Sequence, residues 1–370
     1  MTILGIETSC DETAAALIEG KDDQVILRTN VLATSLALHA KTGGIIPEQA
    51  AREQVKYILP VIKETLAKAQ ATPPNIDAIA VTYGPGLIGS LLVGVETAKT
   101  LSFVLKKPII PINHMVGHIY ANFIIENSKL NPNIQFPALA LVVSGGHTDL
   151  LLMKRHGDFT LLGGTRDDAA GEAFDKIGRM LGLSYPAGPA IEKLAKDGDP
   201  KRFRFPRPLL HEDTYEFSFS GLKTAVLREI VKLKENSNFR HSGLSRISHV
   251  TVSGVANAPQ NDERFDAQTT SDLARSTQDA IIEVLVKKTL RAAKEHPVKS
   301  ILLSGGVAAN QTLRDTFLQM INDQKLTAKL FSPAKNLCTD NAAMIASAAY
   351  FNFYPVPWKD ITADPELYFE

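Results

Sequence analysis

The sequence is poor in cysteine, with only Cys10 and Cys338 in 370 residues. That excludes a disulfide-stapled secreted scaffold and points to a reducing compartment. It also lacks net charge, since Lys+Arg and Asp+Glu both count 40. A domain that grips nucleic acid over its own surface is basic overall, so any such contact must use a local patch or be shared with a partner subunit. No apolar run reaches the length expected of a membrane-crossing helix. The first residues, MTILGIET, enter a strand pattern with no basic or Arg-rich leader. A cytoplasmic location and no membrane contact are expected. No GxxxxGK[ST] stretch occurs and no GxGxxG follows a strand, which excludes a Walker A loop and a dinucleotide fingerprint.

What is present reads as two related halves. Short apolar runs at Thr2–Ile6, Thr13–Ile18 and Val25–Leu32, with short spacers, predict an antiparallel meander. Helical spacing over Pro47–Ala69 follows, then a strand at Ile79–Thr82, the turn Gly84-Pro85-Gly86 and a helix to about Leu105. A strand at Ile109–Ile112 and a helix over about Met115–Ile125 complete the first half. The polar, proline-bearing stretch 127–137 marks a boundary. After it the opening recurs, with runs at Ala138–Val143, Leu150–Met153 and Phe159–Leu162. Helices are expected near Ala170–Leu181, Pro189–Lys196, Gly221–Glu235 and Ser271–Glu295, and strands at Ser300–Leu303 and Lys329–Phe331. The domains expected are 1–130 and 131–339, with a flexible polar insertion at about 236–270.

Three segments deliver an apolar strand into a small polar turn: GIETSCDET at 5–13, VSGGHT at 143–148 and LSGGVAAN at 303–310. Gly-Gly lets backbone amides approach a ligand, and consecutive amides form an anion-binding concavity. A single Ser-Gly-Gly is adequately explained as a tight turn. Two copies at corresponding strand ends, beside an acidic first turn, favour a nucleotide phosphate.

His114 and His118 are four residues apart at the start of a helix, which stacks both imidazoles on one face. They could share a metal ion, or be helix-end or core histidines. Met115 stands where a zincin would carry its glutamate base, so that peptidase mechanism is disfavoured. Asp340, in CTDN at the N-cap of the last helix, is either a third ligand or an ordinary helix cap. Fe2+ or Zn2+ suits two imidazoles and a carboxylate.

Taken in order, GIETSCDETA at 5–14, YGPGLIGSLLVG at 83–94, NHMVGH at 113–118, LVVSGGHT at 141–148, DDAAGEAFDKIGRMLGL at 167–183, YPAGP at 185–189, FSFSGLKTA at 217–225, SGGVAAN at 304–310 and CTDNAAMIA at 338–346 closely resemble the TsaD family of the tRNA threonylcarbamoyladenosine pathway. The resemblance covers nearly the whole chain. It implies an α/β, two-lobed actin/hexokinase/Hsp70-like (ASKHA) fold with duplicated mixed-sheet domains, its last helix, about 340–352, packing back on the first lobe. It implies one divalent metal ion, Fe2+ or Zn2+, held by His114, His118 and Asp340. The donor would be threonylcarbamoyl-AMP. The acceptor would be the N6 amine of the adenosine 3′ of the anticodon in tRNAs reading ANN codons. Val142, Val143, Ser144, Gly145 and Gly146 would line the donor's phosphate. Asp175, Gly188, Glu192 and Asn310 would close around its nucleoside. Glu192 replaces a commoner Asp, and Ala187 a commoner Gly. Val142 stands where the archaeal branch has a tyrosine ligand, so the bacterial type is favoured. Partners implied are a TsaB-like paralogue and a TsaE-like ATPase, docking on the N-terminal lobe.

The adenosine amine needs a proton acceptor during attack, for which Asp11 and Glu12 are candidates. The loop Lys201–Arg207 interleaves cations with Phe203 and Phe205, as either a nucleic-acid patch that Arg166 and Lys223 could join or a solvated loop; the sequence does not place those two beside it. Rival readings are a kinase or ATPase of the same superfamily, which leaves HMVGH and CTDN without a role, a metallopeptidase, and a non-catalytic nucleotide-binding scaffold.

Overall fold

A computed structural model of the chain describes residues 1–35, 45–126, 133–241 and 266–369. Two mixed sheets repeat one topology. In the first, β1 (Thr2–Glu7), β2 (Glu12–Lys21) and β3 (Gln24–Thr34) form the antiparallel meander, and β4 (Ala78–Gly84) and β5 (Ile109–Asn113) extend it in parallel from β1. In the second, β7 (Ala138–Val143), β8 (Thr148–Arg155) and β9 (Asp158–Gly164) do the same, extended by β10 (Ser300–Ser304) and β11 (Lys329–Phe331). The strand orders are β5-β4-β1-β2-β3-β6, where β6 is Ile124–Ile125, and β11-β10-β7-β8-β9.

Strand periodicity sorts the core into layers. Leu4, Ile6, Ala15, Leu17, Ile79 and Val81 face α1 (Pro47–Lys68) and α2 (Ile88–Leu105). The alternate residues Ile3, Ile18, Ala78, Ala80, Ile110 and Ile112 face a middle layer made by α3 (His114–Tyr120) and α9 (Ala342–Phe351). Ala138, Ala140, Val142, Leu151 and Leu302 of the second sheet close that layer from the other side. Leu139, Leu141, Val143, Leu150 and Leu303 turn outward onto the helices α4 (Ala170–Met180), α6 (Ser220–His241), α7 (Ala267–Glu295) and α8 (Gln311–Asp323). The central strands β1, β4, β7 and β10 are therefore buried on both faces, which is why they read as continuous apolar runs. α3 lies between the sheets, at the C-terminal ends of the parallel strands β1, β4 and β5, where open α/β sheets place ligands.

Several local expectations change. The helix expected over 115–125 stops at Tyr120, and Ile124–Ile125 forms β6, paired with Val25–Ile26 of β3. An exposed strand edge outcompeted helical continuation there. α6 runs on to His241 and α7 begins at Ala267, so only 242–265 of the expected insertion lie outside the described residues. The expected boundary at 130 also lies outside them. α2 is long and apolar enough, by length and composition, to cross a membrane, contrary to the sequence expectation. It carries Glu96 and Lys99 and buries Leu91, Val95 and Ala98 against the first sheet, as a core helix does.

Candidate functional site

Asn113 ends β5 and caps α3, its Oδ1 accepting from the amides of Met115 (2.8 Å) and Val116 (3.3 Å). That cap starts the helix at His114 and sends His114 and His118 to one face, with ring centroids 4.7 Å apart. The helix can approach α9 closely because position 117 is glycine; a Cβ there would lie 2.6 Å from Ile345 Cδ1. α9 is capped by Asn341, whose Oδ1 accepts from Met344 N at 3.0 Å. The alternative that Asp340 is the cap is thereby excluded. Asp340 Oδ1 instead lies 3.5 Å from His114 Nε2 and 3.2 Å from His118 Nε2.

Both ring nitrogens of His118 are buried without a hydrogen-bond partner. The approach to Asp340 is off the hydrogen-bonding direction. An orphaned imidazole is costly unless something binds it. The ligand atoms of His114, His118 and Asp340 all lie within 4.8 Å of one another, so the set fits a single metal ion.

The surrounding charge is strongly negative. Burial alone would lower the His114 imidazole, but the carboxylates of Glu7 and Asp340 outweigh it and raise it well above its ordinary value. His118 is lowered, by burial first and by the His114 cation. The imidazoles draw Asp340 well below the carboxylate range, although burial works the other way. Burial pushes the Glu12 carboxyl up to about 10, helped by Asp340 and by a hydrogen bond with Asp11. Asp11 itself is buried in the same acidic turn.

The second glycine turn stands open. Ser144 is half-buried, Gly145 and Gly146 are exposed, and a Cβ on either glycine would meet nothing within 4 Å. The N-terminus of α4 abuts it, Gly171 N donating to Ser144 O at 3.2 Å. Val142 and Val143 send their side chains into opposite cores, leaving only their backbone for a ligand. The third turn borders the same strand end, with Gly305 at φ +84 packed against Val143 O.

Asp175 on α4 accepts from Ala187 N at 2.7 Å and so caps α5 (Gly188–Ala195). Ala187 has φ −90, which a Cβ tolerates. Glu192 accepts from Gln311 N at 2.7 Å, and Asn310 caps α8 while donating to Gln278 Oε1 at 3.0 Å. These residues are tied to one another through helix caps. Gly188 keeps open space around its Cα.

Known proteins bear directly on this arrangement. A family model described as TsaD: tRNA N6-adenosine threonylcarbamoyltransferase matches residues 26–347. Curated proteins of that name are similar along nearly their whole lengths. The one from Thermomicrobium roseum is 48% identical over 369 residues, covering 99% of this chain and 95% of the relative. That from Moorella thermoacetica is 46% identical over 351 residues, covering 95% and 92%. The chain belongs to the TsaD family. Among solved structures, HypF from T. kodakarensis is similar at TM-score 0.57 and 14% identity, over 95% of this chain and 47% of that one. At that identity the likeness shows the fold alone, an α/β architecture with two mixed sheets.

Not every residue singled out from sequence lies free for the TsaD-type reaction. In the Lys201–Arg207 loop, Arg202 pairs with Asp272 at 2.6 Å and Arg207 with Glu283 at 2.8 Å. Phe205 is buried in the second core with Phe203 packed beside it. Arg166 pairs with Glu216, and Lys223 with Asp168 at 3.1 Å. Arg202 and Arg207 thus tie the loop to α7, while Lys201 and Arg204 are exposed. Two residues escaped sequence reading. Glu7, fully buried at the end of β1, faces His114 Nδ1 at 3.1 Å. His147 is lowered to about 4, by burial first and then by the charges of His114 and His118. Glu7 sits inside the first glycine-turn motif, and His147 in SGGHT, but only packing shows what each faces.

Proposed function

We propose that the chain transfers the threonylcarbamoyl group of threonylcarbamoyl-AMP to the N6 amine of the adenosine 3′ of the anticodon, in tRNAs reading ANN codons. The observation carrying this reading is the convergence of His114, His118 and Asp340, in a chain whose family relatives carry the transferase name.

The donor is a mixed anhydride, so its carbonyl carbon is already activated and no covalent enzyme intermediate is needed. The amine nitrogen forms the new C–N bond, the C–O bond to phosphate breaks, and AMP leaves. The backbone amides of Ser144, Gly145 and Gly146 receive the leaving phosphate, helped by the N-terminus of α4. Asp175, Gly188, Glu192 and Asn310 hold the nucleoside, with Val142 and Val143 contributing backbone. Asp11 takes the amine's proton, and the Glu12 carboxyl hydrogen-bonds to it. A bound Fe2+ or Zn2+ ion, held by His114, His118 and Asp340, would orient the threonyl group and stabilise charge.

α1 and α2 leave Val55, Leu59, Ile88 and Leu92 exposed, which supports docking of a TsaB-like paralogue on the N-terminal lobe. A TsaE-like ATPase is the second partner. A tRNA substrate fits a cytoplasmic location.

The test supplies the purified chain with tRNA, threonine, bicarbonate, ATP, the adenylate-forming enzyme and both partners. Nucleoside mass spectrometry should find threonylcarbamoyladenosine, and the His118→Ala variant should make none. Failure to modify tRNA, together with phosphorylation of a small acceptor, would transfer the assignment to the kinase reading.

A further inference from the structure

We infer that Glu7 is a positioning residue that fixes the tautomer of His114, and with it the direction of the metal-binding nitrogen. The inference rests on reading His114, His118 and Asp340 as a metal set.

Glu7 ends β1 with its side chain wholly buried. Its Oε1 accepts from the amide of Ser9. Its Oε2 accepts from Thr82 Oγ1 at 2.5 Å and faces His114 Nδ1 at 3.1 Å. Among the described residues, the ion pair it forms is with His114, and no lysine or arginine shares it. An ionised carboxylate can only accept. A proton on His114 Nδ1 would meet Glu7 Oε2, leaving the lone pair of Nε2, the atom 3.5 Å from Asp340, for a metal. This is the carboxylate–histidine–metal arrangement, in which the outer carboxylate orients the ring and raises its basicity.

The same carboxylate also joins three segments of the site. Ser9 opens the acidic turn that bears Asp11 and Glu12, Thr82 lies in β4 beside the Gly84-Pro85-Gly86 turn, and His114 opens α3. Ser9 Oγ adds a second contact to His114 Nδ1 at 3.1 Å. One buried group thus sets the metal helix relative to the turn that carries the proposed proton acceptor.

The experiment has two readouts on the full-length chain. Co2+ binding to metal-stripped protein is followed by its visible absorption, in wild type, Glu7→Gln and His118→Ala. Glu7→Gln should bind about tenfold to a hundredfold more weakly, with a changed spectrum, while its thermal unfolding stays cooperative. Separately, nitrogen-resolved NMR of the Zn2+-loaded wild type should show the His114 proton on Nδ1 and the metal on Nε2. That second readout needs no variant, so it decides the matter even if Glu7→Gln fails to fold. Wild-type affinity retained in Glu7→Gln, or a proton on His114 Nε2, overturns the role of Glu7 while leaving the metal set intact. Co2+ binding insensitive to His118→Ala overturns the metal set itself, and this inference with it.

Discussion

At the residue scale, two adjacent side chains divide the work at the start of α9. Asn341 caps the helix, and Asp340, one position earlier, is free to face the histidines. Their substitutions should separate. Asn341→Ala removes a cap and should cost about 1 kcal/mol of stability, with metal content unchanged. Asp340→Ala should abolish stoichiometric metal, measured by elemental analysis of purified protein, with the fold retained. His147 provides a pH test. Its folded value of about 4 lies below its unfolded value of 6.5. As pH falls from 6.5 toward 4, the unfolded chain gains a proton that the folded one does not, so stability is lost across that window. Denaturant titrations of His147→Gln should show a flatter decline there than wild type. An identical slope would mean that the His147 imidazole titrates normally in the fold.

At the scale of elements, the helix bearing His114 and His118 is positioned by what lies beneath it. α3 is only seven residues long and draws its order from packing between the sheets rather than from its own propensity. Gly117 sets its distance from α9. Gly117→Ala should destabilise the protein by about 1–3 kcal/mol through overpacking, and should weaken metal binding because His118 and Asp340 move apart. Calorimetry reads the first effect and a Co2+ titration the second. The central strands β1, β4, β7 and β10 were legible from sequence because they are buried on both faces and bounded by turn residues. The end of α3 was not, because Ile124–Ile125 has equal claim to helix and strand until the edge of β3 is in place.

At the scale of the whole molecule, the C-terminal segment straps the lobes together. Val356 bridges to Ile109 at the edge of the first sheet, and Asp364 N donates to Tyr83 O at 2.8 Å. Tyr368 then reaches the second sheet and donates its hydroxyl to Asp149 Oδ1 at 2.6 Å. Asp149 is buried, its other oxygen unpaired, and burial raises its pKa despite the tyrosine. Tyr368→Phe should cost about 1–3 kcal/mol, because it orphans a buried carboxyl group. Equilibrium unfolding reads the loss, and a double-mutant cycle with Asp149→Asn should show the two effects to be coupled. This strap carried no sequence signal, since its partners lie far apart in the chain.

The sequence by itself determined the duplicated order of strands and the three glycine turns, because burial periodicity and motif spacing are local properties of the chain; His114, His118 and Asp340 came together as one set only through the family resemblance. Only the tertiary structure decided that Asn341 and not Asp340 caps α9, that Arg202 and Arg207 are bound into ion pairs, and that Glu7 stands behind His114. Those facts depend on which of several polar partners lies within reach. Reach is set by how the two sheets and the helices between them pack, which no stretch of sequence contains.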